Sequence, residues 1–212
     1  MNFLPKDIED YAAAHTSPEN DLLKALDRET HLKTLQPRML SGHLQGRFLS
    51  FLSKCQKPNR VLEIGTFTGY AALCLAEGLT PDGILYTIEA NDEMQPMIEK
   101  YFTQSLQSGQ LQLIIGNALE IIPTLDELFD LVFIDAGKRD YRVYFDLIID
   151  KVTKGGIIIA DNILWSGKVV QEKKDTDTHI IDAFNKKILA DKRLECILLP
   201  IRDGLMMMRK IV

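Results

Sequence analysis

Short apolar runs rich in β-branched residues alternate along the chain with longer stretches in which apolar side chains recur every three or four positions. The short runs read as strands and the longer period as amphipathic helix. The strand candidates are Arg60–Ile64, Ile84–Glu89, Gln112–Ile115, Leu131–Asp135, Gly156–Ala160, Glu195–Pro200 and Leu205–Ile211. Between the first five lie helical patterns at Ala71–Glu77, Met94–Leu106, Ala118–Leu128 and Tyr141–Val152, the third broken by Pro123. This alternation predicts βαβ units and a doubly wound, mostly parallel α/β sheet with helices on both faces. Only Ile201–Gly204 separates the last two strands, too short for a crossover, so they are expected to form an antiparallel hairpin. Ahead of the first strand, Pro5–His15, Pro18–Leu35 and Gly42–Leu52 read as helices, a cap of residues 1–55 over the sheet edge or a dimer contact. No repeat, low-complexity tract or linker interrupts the pattern, which reads as one domain over residues 1–212.

Composition narrows the class. The 212 residues are 46% hydrophobic and 26% charged, ordinary for a globular domain large enough to bury a core without staples. A net charge of −5 argues against a broad nucleic-acid surface, though a local basic patch stays compatible with it. Cys55, Cys74 and Cys196 are far apart and odd in number, which disfavours a disulfide framework or a thiolate zinc site and suits a reducing compartment. Charges fall where a signal peptide would need an apolar core, and no apolar run approaches the roughly 20 residues of a membrane span. A cytoplasmic protein is expected.

Val61–Ile64 runs into Gly65-Thr66-Phe67-Thr68-Gly69 and then a helix. In doubly wound sheets ligands bind at the carboxyl ends of strands where the strand order reverses, and the first βα turn is the usual place. The next strand ends in Glu89, close to the spacing at which an acidic residue grips a ribose diol. The dinucleotide fingerprint wants a second glycine where this chain has Phe67, whose side chain crowds the position of a pyrophosphate. S-adenosylmethionine carries adenosine without phosphate and tolerates that change, and its sulfonium suits an acidic surround such as Glu63. The bland alternative is a tight turn with a glycine for helix–strand packing.

Two further strands end in Phe133-Ile134-Asp135 and Ile159-Ala160-Asp161-Asn162. Adjacent parallel strands lie about 4.8 Å apart, so Asp135 and Asp161 should emerge side by side. Carboxylates that close repel unless protonated or bridged by a cation. With the Asn162 oxygen they form a hard donor set suited to Mg²⁺, Ca²⁺ or Mn²⁺ rather than Zn²⁺. The alternative is that Asp161 and Asn162 cap a turn. Lys138, three residues beyond Asp135, would have its pKa lowered by a neighbouring divalent cation and could then accept a proton; otherwise it is a surface lysine paired with Asp135 or Asp140.

Together, VLEIGTFTGY, Glu89, FIDAGK, ADN and the terminal hairpin with Asp203-Gly204 resemble the metal-dependent O-methyltransferases, the family of catechol and caffeoyl-coenzyme A O-methyltransferases and their bacterial relatives. The likeness runs from about Met39 to the end of the chain. It implies a Rossmann-like, seven-stranded sheet with a reversed last strand. It also implies that Glu63, Gly65 and Thr66 line the methionine end of S-adenosylmethionine, with Gly69 and Ala71 in the same cofactor set. Glu89 would hold the ribose and Ala118 would lie by the adenine. Asp135, Asp161 and Asn162 would bind the cation, with Asp135 also close to the cofactor. Lys138 would be the catalytic base, with Asp135 also in the catalytic set, and Asp203 a substrate contact, unless Asp203-Gly204 is simply a turn. The family often has DADK where Gly137 here keeps the Asp-to-Lys spacing and loses a carboxylate, and Met39–Gly46 matches the family less well.

The implied reaction is in-line displacement at the sulfonium methyl. A phenol with pKa near 10, like Tyr, needs activation, which a chelating cation and Lys138 would provide. Trp165 reads equally as an aromatic wall for a planar acceptor or as a loop anchor, whereas Tyr141 and Tyr144 read as packing residues. A small aromatic diol is the implied acceptor. Lys138, Arg139, Arg142, Lys168, Lys173 and Lys174 could form a basic rim for a carboxylated or phosphorylated acceptor, or for the hydroxyuridine of tRNA; the alternative is a solvated face balanced by Glu172, Asp175 and Asp177. An NAD-type oxidoreductase and a non-catalytic nucleoside-binding module are the rival classes, and a homodimer is implied by the family.

Overall fold

The computed structural model describes residues 5–212. Seven strands, β1 (Arg60–Ile64), β2 (Ile84–Glu89), β3 (Leu111–Ile115), β4 (Phe129–Ile134), β5 (Val152–Ala160), β6 (Leu194–Leu199) and β7 (Leu205–Lys210), form one sheet in the order β3-β2-β1-β4-β5-β7-β6. The pairings from β3 through β5 are parallel, and β7 runs antiparallel to both β5 and β6. The expected doubly wound sheet and terminal hairpin are therefore present. Strand order reverses between β1 and β4, which opens the ligand crevice of this architecture beside their carboxyl ends.

The strands bury both faces, and successive residues divide between two cores. Leu62, Ile64, Val132, Ile134 and Ile158 pack against α6 (Ala118–Ile121), α7 (Tyr141–Ile148) and α8 (Thr176–Ala190). Val61, Leu131, Phe133 and Ile159 pack on the other side against α4 (Tyr70–Ala76), reached through α2 (Asp21–Lys33), α3 (Gly42–Gln56) and α5 (Gln95–Phe102). The leading helices are thus more than an edge cap. Leu23, Leu26 and Leu49 are buried in this second core, while α1 (Lys6–Ala14) buries no residue. Glu77, just after α4, accepts from Arg47 at 2.8 Å, Ser50 at 2.7 Å and Lys54 at 2.6 Å, tying α3 to the body of the fold.

Two elements differ from the sequence reading. The fifth strand begins at Val152 rather than Gly156, because it passes Gly155 and Gly156 through a register shift against β4 instead of stopping at them. The helical patterns read from sequence stop before the fifth strand, and α8 fills the interval between the fifth and sixth. Its buried face is Thr178, Ile181, Phe184 and Ile188, and Asp175 caps it by accepting from the Thr178 amide at 2.8 Å. The charged run before Asp175 hides that period. Among the described residues no helix is long and apolar enough to cross a membrane.

Candidate active site

The turn after β1 is shaped by close packing. Gly65 has φ +98°, and a Cβ there would lie 2.1 Å from the Asp135 carbonyl oxygen, so only glycine lets the turn rest against the end of β4. Phe67 also adopts a left-handed conformation, φ +53°. Its amide, which a phosphate-binding loop would present to its ligand, donates instead to Glu89 Oε2 at 2.6 Å. The other Glu89 oxygen accepts from the Asn91 amide at 2.9 Å. This closed arrangement argues against a dinucleotide site.

Beneath the turn lies a buried polar stack. The Thr66 and Thr87 hydroxyls are 2.5 Å apart, and Thr87 donates to Glu63. Glu63 is fully buried, and its Oε1 has no hydrogen-bond partner among the described residues. Burial drives its pKa well above the carboxylate range, the charges of Asp135 and Glu89 push in the same direction, and the Thr87 bond opposes them.

A cavity of about 980 Å³ spans the carboxyl ends of the strands. Of the residues singled out from sequence, Gly65, Glu89, Ala118, Asp135, Lys138, Asp161, Asn162, Trp165 and Asp203 line it. Glu63 and Thr66 sit below its wall, Gly69 caps α4 with φ +93°, and Ala71 is buried within α4. These four are close to the turn without facing the cavity.

The paired strands bring the acidic residues together as expected. Ile134 is in register with Ala160, so Asp135 and Asp161 follow on neighbouring strand ends. Lys138 Nζ donates to Asp135 Oδ1 and to the Tyr141 hydroxyl, each at 2.7 Å. Burial alone would lower the lysine pKa, but Tyr141, Asp135 and Asp161 outweigh it and raise it. The lowering expected beside a cation is therefore not a property of the chain by itself. Asp161 is 3% exposed, and burial together with Asp135 pushes its carboxyl upward against the opposing effects of Lys138, Gln45 and the Asn162 amide.

Burial and the neighbouring carboxylate act together on Asp161, and the positive charge that opposes them in this structure is the Lys138 ammonium. Among the described residues no group of three His, Cys, Asp or Glu side chains is arranged to hold a metal; the candidate set is two carboxylates and the Asn162 amide. Its hard oxygens fit Mg²⁺ or Ca²⁺ chemistry. Asn162 has φ +57°, a left-handed conformation that asparagine tolerates better than most residues.

One wall of the cavity is built by the 162–167 segment, where Trp165 and Ser166 are also left-handed at φ +49° and +55°. Asp203 Oδ1 accepts from the Ser166 amide at 2.6 Å, and its main-chain oxygen accepts from the Leu164 amide at 2.9 Å. Asp203 is thus both a hairpin-turn residue and an anchor for the Trp165 segment. Tyr141 is a buried core residue, as the packing reading expects, and its hydroxyl also accepts from Lys138, a contact that the i, i+3 spacing allows. Gln45, buried in the first turn of α3, was missed because nothing in its local sequence marks it.

The O-methyltransferase family description matches residues 13–211. The probable caffeoyl-CoA O-methyltransferase 2 of Dictyostelium discoideum is 31% identical over 211 residues, covering 96% of this chain and 91% of that protein. The catechol O-methyltransferase of Mycobacterium tuberculosis is 33% identical over 142 residues, 66% of this chain and 64% of that one. Among solved structures, an SAH-bound methyltransferase from Podospora anserina superposes with a TM-score of 0.88 at 26% identity, covering 100% of both chains. The O-methyltransferase TomG from Streptomyces achromogenes, in complex with SAM, also gives 0.88 at 26%, covering 97% of this chain and 96% of its own. The fold and the site define a class I S-adenosylmethionine-dependent methyltransferase. Within that class, the chain belongs to the O-methyltransferase family.

Proposed function

We propose that the protein transfers a methyl group from S-adenosylmethionine to one hydroxyl of a small catechol-like diol, with a divalent cation held by Asp135, Asp161 and Asn162. The observation that carries this reading is the convergence of Lys138, Asp135 and Asp161 in the same cavity that Glu89 and Gly65 line. The relatives' names, catechol and caffeoyl-CoA O-methyltransferase, supply the acceptor class.

In this reading Gly65 lets the cofactor's methionine end approach the backbone. Glu89 accepts from the ribose diol, and Ala118 leaves room for the adenine. Asp135, Asp161 and Asn162 would hold a divalent cation, which would supply Lewis-acid charge that makes an acceptor hydroxyl more acidic and disfavours the charged form of Lys138. Lys138, in its uncharged amine form, takes the hydroxyl proton and becomes the ammonium while the acceptor oxygen attacks the methyl carbon. The new O–CH₃ bond forms as the S–CH₃ bond breaks, and the sulfur keeps the electron pair. Tyr141 and Asp135 hold the lysine nitrogen in place, and Trp165 bounds the planar acceptor.

The tRNA alternative is less well supported. Arg139 pairs with Asp177 at 2.8 Å, Lys168 with Asp175 at 3.0 Å and Lys174 with Asp182 at 2.6 Å, so much of the basic rim is already balanced. Homodimerisation belongs to the same proposal, supported by the exposed Ile8, Tyr11, Leu32 and Phe51 on the leading helices; light scattering in solution tests it. A cytoplasmic setting is likewise proposed.

Calorimetric titration with S-adenosylmethionine, followed by methylation of a catechol panel with Mg²⁺ or EDTA, tests the function. Binding and EDTA-sensitive turnover are expected. Absence of cofactor binding would overturn the reading, and turnover indifferent to EDTA would remove the cation from it.

A further inference from the structure

We propose that Gln45 is a positioning residue for this reaction, holding the Asp161 carboxylate from a helix outside the sheet; the inference rests on the cation-assisted reading above. Gln45 lies in the first turn of α3 and has no solvent exposure. Its Nε2 donates to Asp161 Oδ2 at 2.6 Å, across 116 positions of sequence. Its Oε1 faces Arg202 at 3.4 Å. A guanidinium offers only donors and an ionised carboxylate only acceptors, so these two neighbours fix which way round the amide sits.

The other Asp161 oxygen accepts from the Asn162 amide at 2.6 Å. With one oxygen held by its own backbone and the other by Gln45, the carboxylate is locked against rotation while each oxygen keeps a lone pair for the site. Lys138 does not share this task, because its ammonium is taken by Asp135 and Tyr141. Among the described residues Gln45 is the side-chain donor to Asp161. Loss of that donor would leave the buried carboxylate free to turn and one of its oxygens less well satisfied.

The arrangement also extends outward. Arg202 donates to the main-chain oxygens of Leu40, at 2.8 Å, and Ser41, immediately before α3. The strap carrying Gln36, Arg38 and Met39, which borders the cavity, is thereby tied to the helix that carries Gln45. Packing alone does not require a buried amide N–H to be directed at a carboxylate of the site.

Gln45→Met keeps the length and volume of the side chain and removes the donor. Three measurements are made on it and on the wild type: Mn²⁺ affinity by electron paramagnetic resonance, S-adenosylmethionine affinity by calorimetry, and kcat and KM for a catechol. Outer partners of ligating groups typically contribute tenfold or more, so Mn²⁺ affinity and kcat should each fall about tenfold. Cofactor affinity should stay at its wild-type value. Unchanged Mn²⁺ affinity and kcat in the variant, with Mn²⁺ bound by the wild type, would overturn the inference and leave the proposed function standing. An equal loss of cofactor affinity would also overturn it, by marking Gln45 as a packing residue. A wild type that binds no Mn²⁺ would overturn the inference and remove the cation from the proposed function. Should Gln45→Met fail to fold, Gln45→Asn keeps a polar group there, draws the amide back by one methylene, and is read in the same way.

Discussion

The Tyr141 hydroxyl accepts a hydrogen bond from Lys138 Nζ at 2.7 Å while lying 3.1 Å from the main-chain oxygens of both Ile134 and Asp161. Those carbonyls belong to the ends of β4 and β5, so one buried phenol keys the lysine to both strands that carry the aspartates. The lysine nitrogen is therefore held on two sides, by Tyr141 and by Asp135.

This makes Lys138 the sharpest test of the chemistry. General acid–base groups contribute about 10²–10⁴-fold, and Lys138→Met should lower kcat within that range. Cofactor affinity should be unchanged, since the group acts on the acceptor. Tyr141→Phe should lower kcat less, with calorimetry again showing intact cofactor binding.

Glu89 is tested at the opposite end of the cavity. Its two oxygens already accept from the Phe67 and Asn91 amides, which orients them for a further donor. Glu89→Gln would turn an amide NH₂ toward one of those N–H groups or the ribose. A hydrogen bond to a charged group contributes about 1.5–3 kcal/mol, so cofactor Kd should rise by about tenfold or more. Wild-type affinity in this variant would remove Glu89 from the cofactor site.

Two glycines flank the same cavity with opposite tolerance. Gly65→Ala would drive a Cβ to 2.1 Å from the Asp135 carbonyl at φ +98° and should destabilise the fold by about 2 kcal/mol or more. Gly137 has φ −58°, and a Cβ there would come no nearer than 3.6 Å to the Asp140 carboxylate. Gly137→Ala should change stability by less than about 0.5 kcal/mol. Urea unfolding of the two variants measures the contrast.

The fourth expectation concerns acid stability. Burial alone would raise the Glu77 carboxyl, but hydrogen bonds from Arg47, Lys54 and Ser50 outweigh it and lower it from 4.5 to about 2. A folded-state value below the unfolded one contributes stability that is complete above pH 4.5 and is lost as pH falls through about 2. Glu77→Gln should lower stability at neutral pH by about 1.5–3 kcal/mol and flatten its fall over that acid window. An unaltered pH dependence would show that Glu77 does not carry it.

What the sequence disclosed follows from the range of the forces involved. Strand ends were legible because a buried parallel strand must be a continuous apolar run, and Asp135, Glu89 and Asp161 stand where such runs stop. Pairing those strands then placed the two aspartates together without further information. Gln45 could not be read in this way. Its partner lies 116 positions away, and the residue is defined by where α3 docks rather than by any local pattern. The α8 helix was concealed for a different reason, since its apolar face of Ile181, Phe184 and Ile188 follows a long charged stretch that reads as solvated surface.

The 162–167 segment has a consequence for how such an enzyme changes over time. Its left-handed residues are secured by Asp203 and the hairpin, whereas Gly65, Glu89 and Lys138 are set by the parallel strands and their turns. In the proposed reading, replacement of Trp165 would therefore recut one wall of the cavity without moving Gly65 or Glu89. A change in what is methylated would then be mechanically separable from binding of the methyl donor.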